Sequence, residues 1–216
     1  ALMHEILFIA SAMRLPMVMT IANRALSGPI SIWNDHSDLM NERDIGWVQL
    51  VSENGQEALD LTVAAFKISE DKRVLLPVGV NMDGFILSHM IEPIDFPDQD
   101  EVDAFLPPFT PQMTLDPANP VTMGPVGVPE VYTESKVQCE QALIGSKPVV
   151  KEVLDAWGEQ FGRKYNLVEK NGKENAKTLF VTMGALGEST MTAVDGLVAD
   201  GEDVGQVRIR LWRPFP

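Results

Sequence analysis

A single cysteine, Cys139, stands in 216 residues. One thiol builds no disulfide framework, no structural zinc site and no iron–sulfur cluster. Basic residues are scarce as well, with 17 Lys and Arg against 31 Asp and Glu and a formal charge of −14. A chain this acidic repels phosphate backbones, which argues against nucleic-acid partners. Long apolar runs are missing. The longest near the start, ALMHEILFIASAM, is broken by His4 and Glu5 and is too short to span a bilayer. No basic amphipathic segment suggests a membrane surface, no Asn-x-Ser/Thr acceptor occurs, and no leader-like stretch is visible. The expected setting is cytoplasmic. No G-x-S-x-G elbow occurs, so the usual hydrolase nucleophile has no place here.

What is present reads as a globular chain. Hydrophobic residues make up 45%, enough for a sizeable core, and charged residues 22%. Residues 1–14 predict a nearly all-round apolar helix, ended by Pro16. Residues 17–21 form a short apolar run that predicts a buried parallel strand. Residues 35–43 suit a short helix capped by Asn34 or Asp35. WVQLVS (47–52) predicts a strand, and 54–71 a helix with apolar positions at 58, 61, 65 and 68. RVLLPVGVN (73–81) predicts a third strand. Strand alternating with helix argues an α/β fold with a mostly parallel sheet.

Ligands in such folds bind beyond the carboxyl ends of the strands. Arg24, Ser52 and Asp83 are expected there. From about 92 to 130 prolines recur, and EPIDFPDQDEVDAF carries acids and no base. This stretch predicts an extended connector, packed down through Phe105, Leu106, Phe109, Met113 and Leu115. Helix returns over 130–168, with a stripe at Val150, Leu154, Trp157, Phe161 and Tyr165. TLFVTMG, ALGESTMTAVDGLVADG and VGQVRIRLW then predict one βαβ unit, the start of a second α/β domain. The chain begins at Ala1 and stops soon after that last strand, so it is expected to be an internal piece of a longer polypeptide.

Four places could carry chemistry. TMGALGES (182–189) could cradle a phosphate, but it lacks the G-x-G-x-x-G spacing and a P-loop lysine, and a tight strand-to-helix turn is the preferred reading. Asp35, His36 and Asp38 could hold a divalent cation, yet their spacing is no EF-hand and no second cluster accompanies them. Helix capping and a polar loop are expected instead. Ser88 and His89 adjoin in sequence and are not expected to form a triad, while His4, in an apolar helix, is expected to be a satisfied core histidine. Arg24 sits among the small residues Ala22, Ala25, Ser27 and Gly28. Its planar fork suits a bound carboxylate. A structural pair with Asp35, Asp38 or Glu42 explains the same position, and spacing leaves both open.

The segments ALMHEILFIASAMRLPMVMTIANRALSGPISIWNDHSDLM, GWVQLVSENGQEALDL, LLPVGVNMDGFILSH, LDPANPVTMGPVGVPE and IRLWRPFP run in order along the chain. Together they resemble the alpha subunits of the thiamine-diphosphate-dependent 2-oxoacid:ferredoxin oxidoreductase family. The resemblance implies three parts: a partial pyrimidine-binding domain (1–92), a Pro-rich connector and helix (93–175), and the start of a transketolase-C-terminal-like domain (176–216). It implies CoA-dependent oxidative decarboxylation of a 2-oxoacid, most simply pyruvate, with electrons passed to ferredoxin. A branched-chain 2-oxoacid, oxalate and a non-catalytic scaffold role are the alternatives.

The resemblance also distributes the parts of the machinery. Arg24, in its NRAL context, matches the arginine that faces the substrate carboxylate, and Asn34, Asp35 and His36 are weaker candidates for the cofactor-site or interface wall. No catalytic residue is assignable, because the family's glutamate for the aminopyrimidine lies upstream of Ala1. Thiamine diphosphate with Mg²⁺ is expected at a site shared with the beta subunit, whose GDG-type motif is missing here, and no metal is expected on this chain. The 4Fe-4S clusters are expected on other subunits. The expected partners are beta-, gamma- and delta-type subunits, ferredoxin, the 2-oxoacid and CoA.

Overall fold

The structure, a computed structural model, describes residues 2–124 and 126–216. The first helix, α1 (Leu2–Ala12), buries Leu7 and Ala10 against Ile45 and Trp47. The Trp47 indole N–H donates to the Leu7 carbonyl at 2.9 Å. The opposite face, with Met3, Ile6 and Ile9, is exposed, so the all-round apolar helix buries only one side.

Four strands form the first sheet, in the order β1-β3-β2-β7. β1 (Val18–Asn23), β3 (Val78–Asp83) and β2 (Val48–Val51) are parallel, and β7 (Leu211–Arg213) pairs antiparallel with β2. β2 is buried throughout, whereas β1 is only partly buried. The apolar run 17–21 was expected to be a buried strand. It lies at an edge, because β3 covers one side and no described strand pairs with the other. The short helix α2 (Ser37–Asn41) connects β1 to β2.

Between β2 and β3 runs α3 (Gly55–Glu70). Asn54 caps it, accepting the Glu57 N–H at 2.8 Å, and Leu61, Ala65 and Ile68 enter the core as their spacing predicts. β3 starts later than the apolar run that announces it. The Val74 and Leu75 N–H groups bond the Asp71 carbonyl, and Arg14 donates to the carbonyls of both residues, at 2.5 and 3.1 Å. These groups are therefore spent before the ladder begins.

The acidic connector contains a helix, α4 (Gln99–Phe105), where an extended chain was expected. Asp98 and Glu101 carry the D-x-x-E signature of a capping box, and the Glu101 carboxylate accepts the Asp98 N–H at 3.0 Å. Phe105 is buried between Trp157 and Phe161. Phe109, Met113 and Leu115 are exposed, so the connector is packed down only as far as Leu106.

α5 (Pro129–Phe161) follows, with Pro129 at its first position, where the missing N–H does no harm. Its second half buries Val150, Leu154 and Trp157 in the same core as α3. Asp60 of α3, fully buried, accepts from Trp157 Nε1 (3.2 Å), the Tyr165 hydroxyl (2.7 Å) and Arg163 Nε (2.6 Å). Burial and that hydrogen bond push the Tyr165 phenol far above its ordinary range.

The second sheet has the order β4-β6-β5. β5 (Thr178–Thr182), α6 (Leu186–Ala199) and β6 (Val204–Ile209) form the expected parallel βαβ unit, and β4 (Val168–Gly172) joins it antiparallel to β6. The run VGQVRIRLW is not one strand. It breaks at Arg210, and Leu211–Arg213 crosses to the first sheet as β7. Arg210 is buried at the break and pairs with Glu57 (2.5 Å) and Glu169 (2.8 Å), one carboxylate from each layer. Among the described residues no helix is long and apolar enough to cross a membrane.

Candidate functional site

β1, β2 and β3 end on the same side of their sheet, and the chain beyond each end has a different fate. Beyond β2, Ser52 is fully buried and its hydroxyl donates to the Asn81 carbonyl at 3.1 Å. Glu53 is buried beside it and pairs with Arg208 of β6. Burial pushes the Glu53 carboxyl up to about 7, with Glu57 adding to the rise and Arg208 and Arg210 opposing it. Glu53 Oε1 has no partner among the described residues and lies over Gly187 of α6, where a Cβ would approach to 2.9 Å. Asn54 donates to Glu188 of α6 at 2.6 Å.

Beyond β3, the fully buried Asp83 is fixed on both oxygens. Oδ2 accepts the Ala185 N–H at 2.6 Å, and Oδ1 meets His36 Nε2 at 2.5 Å. Gly184 has φ +71°, and a Cβ there would sit 2.5 Å from the carboxylate. The turn TMGALGES is therefore the tight strand-to-helix turn. One amide at the start of α6, that of Ala185, faces a carboxylate of the first layer, Asp83, an arrangement a helix dipole favours. The β5–α6 turn and the first turn of α6 lie against the carboxyl ends of β2 and β3.

β1 ends differently. Its last residue, Asn23, is buried; its amide donates to Asn81 Oδ1 at 3.1 Å and its Oδ1 accepts the Leu39 N–H at 2.8 Å. The next N–H, of Arg24, donates to Asp38 at 3.0 Å. These bonds fold residues 36–39 back onto the strand end. Among the described residues the Arg24 guanidinium makes one hydrogen bond, from Nη1 to the Ala25 carbonyl at 3.0 Å. Among the described residues it forms no ion pair, so the structural pair with Asp35, Asp38 or Glu42 does not form. Asp38 takes the backbone N–H of Arg24, and Glu42 pairs with His4 at 2.7 Å. His4 is thus satisfied, but it is half-exposed rather than in the core.

The loop after Arg24 carries Ile30, Ile32 and Trp33, all exposed, and Trp33 packs edge-on against Phe85 with centroids 4.0 Å apart. Phe85 has φ +63°, a costly conformation for a bulky residue. It follows Gly84, whose Cβ would fall 2.2 Å from the Asn23 carbonyl, so only glycine fits there. Ser88 and His89 do bond each other at 2.8 Å, but the Ser88 hydroxyl also accepts the Phe85 N–H and no described carboxylate joins them.

Asn34 and Asp35 were expected to cap α2. The cap position falls on His36 instead. Asp35 accepts the Ser37 N–H at 2.6 Å together with the Ser37 hydroxyl, a local turn that ends before the helix, and those two bonds hold its carboxyl below the usual range. Asn34 is half-buried beside them. The arrangement brings Arg24 and His36 to neighbouring strand ends. Asn23 and Asp83 are register partners, and Asp38 and Leu39, two and three residues after His36, bond the β1 end. The strand-end rule could find Arg24 and Asp83. The Asp83–His36 contact joins residues 47 apart and left no sequence signal.

The residues present fit one end of a cofactor such as thiamine diphosphate. The exposed apolar side chains beside Arg24 suit an aromatic ring. Among the described residues no group of three or more His, Cys, Asp and Glu could hold a metal.

Comparisons with known proteins agree along the chain. Residues 1–154 match the family model described as pyruvate flavodoxin/ferredoxin oxidoreductase, thiamine diphosphate-binding, and residues 176–216 match pyruvate:ferredoxin oxidoreductase core domain II. The pyruvate synthase subunit PorA of Methanocaldococcus jannaschii is 50% identical, and that of Pyrococcus furiosus 48%, each over the whole chain. The ketoisovalerate oxidoreductase subunit VorA of Pyrococcus horikoshii is 40% identical. The chain spans 55–56% of the length of these curated relatives. A solved 2-oxoglutarate:ferredoxin oxidoreductase from Magnetococcus marinus superposes with TM-score 0.65 at 19% identity, covering all of this chain and 40% of that one. That likeness concerns the fold.

Proposed function

The chain belongs to the pyruvate flavodoxin/ferredoxin oxidoreductase family, and from that premise we propose that it is part of the alpha subunit of a 2-oxoacid:ferredoxin oxidoreductase acting on pyruvate. The observation that carries the reading is the Arg24 guanidinium, open at the β1 end with one backbone acceptor and no described ion-pair partner. A planar fork of N–H groups there suits a carboxylate, and a 2-oxoacid held by its carboxylate presents its carbonyl carbon in one orientation. When bound, thiamine diphosphate supplies a carbon nucleophile for that carbonyl and a sink for the electrons left by CO2.

In this reading residues 1–92 form one wall of the cofactor site, 93–175 the connector, and 176–216 the start of the next domain. Asn34 and Asp35 line the wall or its subunit interface. The diphosphate, its Mg²⁺ and the iron–sulfur clusters are assigned to other subunits. The products are acetyl-CoA, CO2 and reduced ferredoxin, and the setting is the cytoplasm, with Cys139 as a free thiol.

The test uses the intact complex and CoA-dependent dye reduction with a panel of 2-oxoacids. Pyruvate should give the highest kcat/KM, with Arg24→Ala lowering it on the order of 10²–10³-fold, the scale of losing one member of a desolvated charge pair. The complex should remain assembled. Near-normal kinetics for that variant sink the carboxylate assignment, and a preference for 2-ketoisovalerate, the acid in the VorA relative's name, sinks the choice of pyruvate.

A further inference from the structure

His36 breaks a local rule. It occupies the N-cap of α2, where a side chain ordinarily satisfies the helix's first N–H groups, and it makes no such bond. Its backbone sits at φ −104°, ψ 22°, the sparsely populated bridge region where residues with a role are often found. The ring is turned instead onto Asp83, 2.5 Å away and fully buried. Asp83 cannot swing to follow another partner, because Ala185 N–H holds its second oxygen and Gly184 packs against it.

A carboxylate fixed in this way sets both the tautomer and the plane of an imidazole. Nε2 is the ring nitrogen that meets Asp83. Nδ1 then faces away, has no partner among the described residues, and belongs to a ring 17% exposed. Two and three residues after His36, Asp38 accepts the Arg24 N–H and the Leu39 N–H donates to Asn23 Oδ1, which ties this segment to the β1 end.

We propose that His36 is the proton-transfer group of the site whose carboxylate clamp is Arg24, and that Asp83 is its positioning residue. This deepens the reading of a 2-oxoacid site and rests on it. Bound thiamine diphosphate would supply the nucleophilic carbon for the 2-oxo carbon, with the carbonyl π pair going to oxygen and His36 carrying a proton on both ring nitrogens before the transfer. The His36 Nδ1–H bond breaks and an O–H bond forms on that oxygen. The imidazolium is left neutral, still donating Nε2–H to Asp83. The charged groups placed about it are Asp83 in contact and Asp35 and Asp38 on its own segment, Asp38 being bonded to the Arg24 N–H.

Two measurements on the assembled complex test this. In the first, His36→Gln, which keeps a side chain able to bond Asp83, should lower kcat on the order of 10²-fold with KM nearly unchanged, and should remove one ionisation from the pH profile. Asp83→Asn should lower kcat less and move that ionisation rather than delete it. In the second, wild-type complex lacking thiamine diphosphate is treated with diethyl pyrocarbonate and the His36 peptide weighed. His36 should be labelled, and oxamate, a non-reacting isostere of pyruvate, should protect it. Unprotected labelling, or His36→Gln kinetics within threefold of wild type with an unaltered pH profile, overturns the proposal. If Arg24→Ala is crippled while His36→Gln is normal, the proton-transfer role falls and the carboxylate clamp stands. If Arg24→Ala is normal while oxamate still protects His36, the clamp falls and the imidazole keeps its place beside the substrate.

Discussion

The carboxyl ends of β1 and β3 are register neighbours in one sheet, yet they meet different surroundings. At β3 both oxygens of Asp83 are matched, one by the Ala185 N–H at the start of α6 and one by His36. At β1 Asp38 accepts the Arg24 N–H and Asn23 accepts the Leu39 N–H, while among the described residues the Arg24 side chain bonds only its neighbour's carbonyl. The strand-end rule alone treats the two alike. The neighbours separate them: the start of α6 bonds Asp83 and Asn54, whereas residues 38 and 39 bond the β1 end. One end is a joint between the layers, and the other is where we propose a ligand.

The joint should break hardest. Gly184→Ala places a Cβ 2.5 Å from the Asp83 carboxylate at a residue with φ +71°. Neither the backbone nor the buried acid can yield cheaply. Overpacking together with the left-handed backbone is expected to destabilise the joint by about 2–4 kcal/mol. Hydrogen exchange of the β5–α6 turn in the assembled complex should accelerate accordingly. Because His36 hangs on the same carboxylate, kcat should fall too. Unchanged exchange at this turn means that α6 does not hold the β3 end closed.

Glu53 gives the joint a pH dependence of definite sign. Its carboxyl, 4.5 in the unfolded chain, is pushed up to about 7 by burial. The folded state therefore keeps a proton that the unfolded state loses. Stability from this group is full below about pH 4.5 and is lost as pH rises through about 7. The shift corresponds to at most about 3 kcal/mol. Between about pH 5 and 8, after correction for intrinsic exchange, the turn of wild type should open more readily as pH rises. Glu53→Gln should flatten that trend. A wild-type joint that tightens with rising pH contradicts the sign.

How much of this was legible beforehand depends on the range of each interaction. Apolar spacing located α3, the second half of α5 and the β5-α6-β6 unit, because those patterns are local. Proline and acid content hid α4, although Asp98 and Glu101 carried its capping signature. The break at Arg210 was invisible, since RIRLW reads as continuous strand, and only Glu57 and Glu169, far away in sequence, make the arginine a crossing point between sheets. The same holds for the site. Arg24 could be placed at a strand end from sequence, but whether it was free or paired depended on where Asp38 and Glu42 pointed. His36 could be grouped with Asn34 and Asp35 by adjacency, and only the Asp83 contact distinguishes it from them.

That distinction sets the smallest expected effect. Asp35 adjoins His36 in sequence and was an equal candidate for the site wall. Its carboxylate, however, is satisfied by the Ser37 N–H and hydroxyl in a partly exposed turn. The bonds hold its carboxyl low, so it stays charged and local through the physiological range. Asp35→Asn can keep one acceptor oxygen for Ser37. It should alter kcat/KM by no more than about twofold, the scale of a surface substitution away from special features. The cap of α2 is set by the His36 backbone and should persist. If Asp35→Asn matches His36→Gln in its loss of kcat, then the loop acts as one polar unit, and the singling out of His36 by its buried partner is wrong.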